Sequence, residues 1–225
     1  MRIFLISLFV SLPVFWGMNA FQGNLEKFFY AQISESIGQI VEVRFPEKPL
    51  LELKAKSAIS IKISQTGREK TLFKKNTSEI LPLASLTKLM AATIILEDIN
   101  YDLKQSLTIS KTAASQENVP NYGNLKVGES LTVEKLLELM LSYSSNDAVY
   151  ALAEVIGIDN FVEKMNLRAR ELGLNQSQFL NPTGLEDSQN NFNYSTADDL
   201  TILTKYIFRN HPLILEITLK EKAYL

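Results

Sequence analysis

The stretch Leu81–Ala92, "LPLASLTKLMAA", sets a serine and a lysine three residues apart inside an otherwise almost wholly apolar run. The pattern predicts a helix over Ser85–Asn100, on which positions i and i+3 are neighbours, so the Ser85 hydroxyl and the Lys88 amine can face one another. Leu86, Leu89, Met90, Ala91, Ala92, Ile94, Ile95 and Leu96 cover most of its circumference, and such a helix is buried rather than surface-lying. A buried ammonium costs several kcal/mol unless it is paired or loses its proton. Desolvation favours the neutral amine, which is a usable general base near neutral pH. Ser85 at the start of the helix also places backbone N–H groups near any oxyanion formed on its acyl product. The plainer alternative makes Ser85 an N-cap and lets Lys88 snorkel along the first turn. That explains the serine better than the lysine. The spacing alone is weak, because a chain of this composition is expected to hold a Ser-x-x-Lys by chance.

A second constellation adds weight. "MLSYSSNDAVYALAEV" (Met140–Val155) places Ser144 and Asn146 at the junction of two helices predicted over Val133–Leu141 and Asn146–Ile156. A hydroxyl and a carboxamide there can converge on the Ser85–Lys88 pair. Ser144 could relay a proton between Lys88 and a leaving amine. The Asn146 amide could hold Lys88 by its oxygen and a substrate carbonyl by its nitrogen. The competing explanation is that Ser144 or Ser145 caps the second helix and Asp147 complements its dipole. Another Ser-x-Asn, Ser188–Asn190, lies in a polar loop away from any helix junction and is set aside.

The rest of the chain excludes more than it adds. At 225 residues, with 46% hydrophobic and 21% charged residues, it suits one sizeable domain with an appendage. The net charge of −2 gives no basic field for nucleic acid. There is no cysteine and a single histidine, His211, so thiol catalysis, disulfides and a lipoprotein anchor are excluded and a His-based triad or metal site is disfavoured. His211 precedes Pro212 and reads as a turn residue at a helix end. Arg2 followed by the uncharged Ile3–Met18 is a targeting segment, between a signal-peptide core and a full membrane span in length. Cleavage after Ala20 would put Met18 where a small residue is preferred, which favours an uncleaved anchor over a removed signal; either way the body is exported. Residues 21–56 read as a juxtamembrane spacer. "AISIKIS" (Ala58–Ser64) and "KTLFKKN" (Lys70–Asn76) flank a Gly67-containing connection and predict a β-hairpin. Thr132 is the expected N-cap of the Val133–Leu141 helix. Further helices are expected over Asp159–Leu172, closed by Gly173, and Thr196–Asn210. Two strands make only a marginal hairpin, and the one further candidate is the tail from Leu215, with Ile217, Leu219 and Tyr224 as apolar positions. The expected domain order is 1–20 signal or anchor, 21–56 spacer and 57–225 catalytic-type domain, continuing past the end of the chain.

Together "LPLASLTKLMAA", "YSSNDA" and "FLNPTGLED" (Phe179–Asp187), with the intervening "VGESLTVEKLLELML", resemble the serine D-alanyl-D-alanine carboxypeptidases, the low-molecular-mass penicillin-binding proteins. The resemblance covers roughly Lys56 to Leu215. It implies an α/β (α+β) fold of the β-lactamase/transpeptidase type, an antiparallel sheet with flanking helices plus a helical subdomain. It implies Ser85 as acylated nucleophile, Lys88 as general base, Ser144 as proton relay and Asn146 as substrate-binding residue. The implied reaction removes terminal D-alanine from a peptidoglycan stem peptide through an acyl-enzyme, and β-lactams would acylate the same serine. No metal or organic cofactor is implied; the implied setting is the bacterial envelope. One departure matters: Lys-Thr-Gly, the third motif, is absent. Lys70-Thr71 is followed by Leu72, Lys111-Thr112 by Ala113, and Thr183-Gly184 is preceded by Pro182. The expectation is therefore an incomplete copy of the domain that is not competent alone.

Three rivals stand beside this. A class A-like β-lactamase would use "ELGLN" (Glu171–Asn175) as its Glu-x-x-Leu-Asn motif, although Gly173 there reads as a helix cap. A D,D-endopeptidase would cut cross-links with the same residues. An inactive envelope protein would bind peptidoglycan without cutting it.

Overall fold

The computed structural model describes residues 53–64, 66–116, 124–186, 189 and 191–220. The chain divides into two units, Met1–Lys54 and Ala55–Leu225. The targeting segment, nearly all of the spacer, and Ser188 and Asn190 lie outside the described residues, among which no helix is long and apolar enough to cross a membrane.

The hairpin forms as its alternation predicts: β1 (Ala58–Ile63) pairs antiparallel with β2 (Glu69–Lys75), with an irregularity between Ser60 and Ile61. The chain then runs through the two-residue strand β3 (Leu81–Pro82) and a 3-10 turn (Ala84–Leu86) into helix α1 (Thr87–Glu97). Strand β4 (Ser106–Thr108) pairs with β5 (Ser130–Thr132), which leads directly into α2 (Val133–Ser142). Helices α3 (Asn146–Glu154) and α4 (Ile158–Leu172) follow. Strand β6 (Tyr194–Ser195) returns to pair with β3, and α5 (Ala197–Asn210) and α6 (Pro212–Thr218) close the described chain.

The apolar spacing accounts for the core. Helix α1 buries Met90, Ala91, Ala92, Ile94 and Ile95 and packs against α2, α3 and α4. Val133, Leu136, Leu137 and Met140, at i, i+3, i+4 and i+7, form the buried stripe of α2. Phe161, Met165 and Ala169 do the same for α4. The caps fall where the residue types place them: the Thr132 hydroxyl accepts from Lys135 N at 3.2 Å, and Gly173 closes α4 in the left-handed region, φ 80°. Thr132→Ala is expected to cost about 1 kcal/mol of stability, a fall of roughly 2–4 °C in melting temperature; an unchanged thermal unfolding midpoint would refute the cap's contribution.

Two expectations need correction. The helix expected over Ser85–Asn100 is α-helical only over Thr87–Glu97, and Ser85 sits in the 3-10 turn that precedes it. As far as Lys220 the tail from Leu215 is helix and turn rather than strand, and Tyr224 lies outside the described residues. Pro212 stands at the first position of a helix, where its fixed φ and missing N–H cost nothing, and Ile214 and Ile217 bury an i, i+3 face. The described strands form three two-stranded antiparallel ladders among the helices, within the α/β (α+β) class expected.

Candidate active site

The start of α1 is held from outside its own segment. Leu83 N donates to Asn193 O at 2.8 Å, beside the β3–β6 pairing. Ala84 then adopts φ 46°, and Gly184 lies so close that a β-carbon built on it would stand 2.0 Å from Ala84 O. Such backbone conformations cost about 1–3 kcal/mol in a residue with a β-carbon and persist only where the surroundings fix them. Ser144, φ 59°, is another. Both flank the same hydroxyl.

Ser85 is exposed at the top of this turn, while Lys88, one turn further on, is 3% exposed. Lys88 Nζ donates to Asn146 Oδ1 at 2.8 Å, to Thr183 O at 3.0 Å and to Ser85 Oγ at 3.2 Å. Three acceptors match the three N–H bonds of an ammonium. In the neutral amine the contact to Ser85 can run the other way, with the hydroxyl donating to the nitrogen lone pair. Ser144 Oγ donates to Ser85 Oγ at 2.7 Å. The four residues singled out in the sequence therefore meet within hydrogen-bond reach.

The plainer alternatives resolve on this geometry. Ser85 makes no side-chain cap to α1, and the Lys88 amine is buried rather than snorkelling to solvent. Ser145, not Ser144, caps α3, accepting from Ala148 N at 3.2 Å. Asp147 is fully buried and accepts from Leu125 N at 3.0 Å, an anchor for the 124–125 backbone beyond any dipole role. The expected set of free N–H groups after Ser85 is narrower than the sequence suggested. Leu86 N–H is bonded to Leu83 O, and Thr87 N–H to Ala84 O, so neither is free to receive an oxyanion.

Thr183 O and Gly184 were missed as members of the site, although Asn-Pro-Thr-Gly had been noticed as a signature. A backbone carbonyl carries no side-chain signal. The turn itself was legible as Pro-x-Gly, and Asn181 Oδ1 folds it by accepting from Thr183 N, Thr183 Oγ1 and Gly184 N. Glu171 pairs with Arg168 at 2.7 Å, and Arg168 also holds Glu97 at 2.6 Å. Glu97 ends α1, about 14 Å along the axis from Lys88 at 1.5 Å per residue, so Glu171 belongs to the far end of the helix from Ser85. His211 occupies the α5–α6 turn as expected, and its ring also faces the Glu97 carboxylate at 2.7 Å. The same carboxylate accepts from Tyr206, and that hydrogen bond raises the phenol above its ordinary pKa. Among the described residues no group of His, Cys, Asp or Glu could hold a metal ion. An apolar groove lined by Ile59, Ile61, Ile63, Leu200 and Phe208 lies between β1 and α5 and contains none of the four residues.

Solved penicillin-binding proteins share this fold. The chain superposes on the D-alanyl-D-alanine carboxypeptidase DacD from Francisella tularensis with a TM-score of 0.66 and 31% identity, covering 75% of this chain and 40% of that one. Penicillin-binding protein D2 from Listeria monocytogenes in its ampicillin-bound form gives a TM-score of 0.61 at 28% identity, covering 76% and 69%. Residues 42–225 match the model of the peptidase S11 family, D-alanyl-D-alanine carboxypeptidase, and the chain belongs to that family. It is 37% identical over 161 residues to the D-alanyl-D-alanine carboxypeptidase DacF of Bacillus subtilis, covering 69% of this chain and 39% of DacF. It is 32% identical over 185 residues to a D-alanyl-D-alanine endopeptidase of Pseudomonas aeruginosa, covering 81% and 57%. The chain thus spans about half the length of these curated relatives.

Proposed function

We propose that the protein to which this chain belongs is a serine D-alanyl-D-alanine carboxypeptidase of the bacterial envelope, acting on peptidoglycan stem peptides and acylated by penicillins. The observation that carries this reading is the buried Lys88 amine, within 3.2 Å of an exposed Ser85 hydroxyl that Ser144 reaches at 2.7 Å. Ser85 Oγ attacks the penultimate D-Ala carbonyl as its proton passes to Lys88 Nζ. The tetrahedral oxyanion lies toward the Ser85 N–H. The peptide C–N bond breaks as Ser144 gives its proton to the leaving amine and takes in turn the proton held by Lys88, and the amine departs as D-alanine. Water then hydrolyses the Ser85 ester. Asn146 Oδ1 orients Lys88, and its Nδ2 receives the substrate carbonyl. The N-terminal segment holds the domain at the extracytoplasmic face of the membrane.

Fluorescent penicillin tests the assignment. The protein is expected to take up the label covalently on the peptide containing Ser85, and Ser85→Ala to take up none; labelling that persists in Ser85→Ala refutes the nucleophile. The P. aeruginosa relative, an endopeptidase by name, supports a second reading in which the bond cut is the D-Ala cross-link. Release of free D-alanine from a stem pentapeptide, with a cross-linked dimer left intact, decides for the carboxypeptidase. The position of Glu171 beside Arg168 speaks against a class A-like β-lactamase.

A further inference from the structure

We propose that Asn193 is a positioning residue for the Ser85–Lys88 pair, a side chain that ties the turn carrying the nucleophile to the loop that supplies the third acceptor of Lys88. The inference rests on the acylation reading given above. Asn193 is fully buried and uses both ends of its carboxamide. Its Oδ1 accepts from Leu180 N at 2.7 Å and from Asn181 N at 3.2 Å. Its Nδ2 donates to Asn181 O at 2.8 Å and to Thr87 Oγ1, on the first residue of α1, at 3.0 Å. Its own carbonyl accepts from Leu83 N at 2.8 Å, two residues before Ser85.

The consequence runs in two directions from one residue. Toward α1, Asn193 grips both sides of Ser85, at Leu83 and at Thr87. Toward the loop, it fixes the backbone of Asn181, whose own side chain then folds the Thr183–Gly184 turn. That turn delivers Thr183 O to Lys88 Nζ and rests Gly184 on Ala84 O. A carboxamide is the group that fits: two acceptor lone pairs face two backbone N–H groups, and two N–H bonds face a carbonyl and a hydroxyl. An aspartate of the same shape keeps the first pair of contacts and loses the donor to Asn181 O. Asn193 touches neither Ser85 Oγ nor Lys88 Nζ by any of these bonds, so its effect is on placement and not on substrate binding.

The test is stopped-flow acylation by a fluorescent penicillin, with the rate at saturation separated from the concentration that gives half that rate. Asn193→Asp is expected to lower the saturating rate at least tenfold while the half-saturating concentration changes less than about twofold, since what it disturbs is alignment within the bound complex. Thr87→Val removes the other end of one bond without touching the loop backbone, and is expected to slow the same step several-fold. The double variant is expected to be no slower than Asn193→Asp alone, because the Nδ2 donor to Thr87 Oγ1 is already absent from the aspartate. Ile207→Val, in the core of α5, serves as the stability control and is expected to keep the wild-type rate at a comparable fall in melting temperature. Wild-type protein that takes no label overturns the acylation reading and this proposal with it. Wild-type labelling together with Asn193→Asp and Thr87→Val variants that acylate at its rate overturns the positioning role alone, as does a rate loss in Asn193→Asp no larger than that of Ile207→Val.

Discussion

Lys88→Met is expected to slow acylation of Ser85 by about 10²–10⁴-fold, the range that a positioned general base contributes. Methionine keeps the length and apolar stem of lysine and removes only the amine. Stability moves in two opposed directions. Asn146 Oδ1 and Thr183 O each lose the Lys88 donor, at roughly 1–3 kcal/mol for a buried acceptor left without a bond. Against that, no amine has to be taken out of water, a cost met either as desolvation of the ammonium or as loss of its proton. The terms are of similar size, so the melting temperature is expected to move little while the rate collapses. That pairing is the diagnostic result. A variant that acylates within tenfold of wild type would remove Lys88 from the mechanism, whatever its stability.

Gly184→Ala carries the second large effect, and it falls on stability and rate together. At φ 85° the new β-carbon would lie 2.0 Å from Ala84 O, 2.6 Å from Ala84 C and 2.9 Å from Thr87 Oγ1. The first two obstacles are backbone and cannot rotate away. The left-handed conformation adds about 1–3 kcal/mol for a residue with a side chain. Relief requires the Ala84–Leu86 turn and the Thr183 loop to separate, which draws Thr183 O from Lys88 and tilts Ser85. The expected cost is about 3–5 kcal/mol, in the tail of single-substitution effects, or roughly 6–20 °C in melting temperature, with penicillin labelling reduced to about the level of Lys88→Met. Thermal unfolding and labelling measured on the same sample decide it; a wild-type midpoint would mean that the two segments are not in the contact described.

The parts of the site that could be read from sequence were those with a side-chain signature in a periodic setting. Ser85, Lys88, Ser144 and Asn146 stood out because polar groups interrupted apolar helical runs, and the helices were legible because their apolar spacing was continuous. What escaped was made by backbone or by distance. Thr183 contributes a carbonyl, which every residue has. Asn193 sits in a polar loop 106 residues from the Thr87 hydroxyl it binds, and nothing near it in the chain marks it. β3 and β6 are two residues long and owe their pairing to tertiary contact, not propensity. The tail from Leu215 reads as a strand candidate because a short apolar run has no decisive period, and it instead ends the helix Pro212–Thr218. His211 was read correctly as a turn residue, but its bond to Glu97 spans 114 positions and leaves no local trace.

The amine of Lys88 takes its acceptors from positions 3, 58 and 95 residues away. Loops of the latter two lengths close only when most of the domain has come together. In a chain made from its N-terminus, Ser85 and Lys88 arrive long before Thr183 does. During that interval the serine has a lysine nearby but not the dry, three-sided seat that makes the lysine useful. During refolding, penicillin labelling is therefore expected to lag behind the recovery of helix content, because the seat of Lys88 closes last.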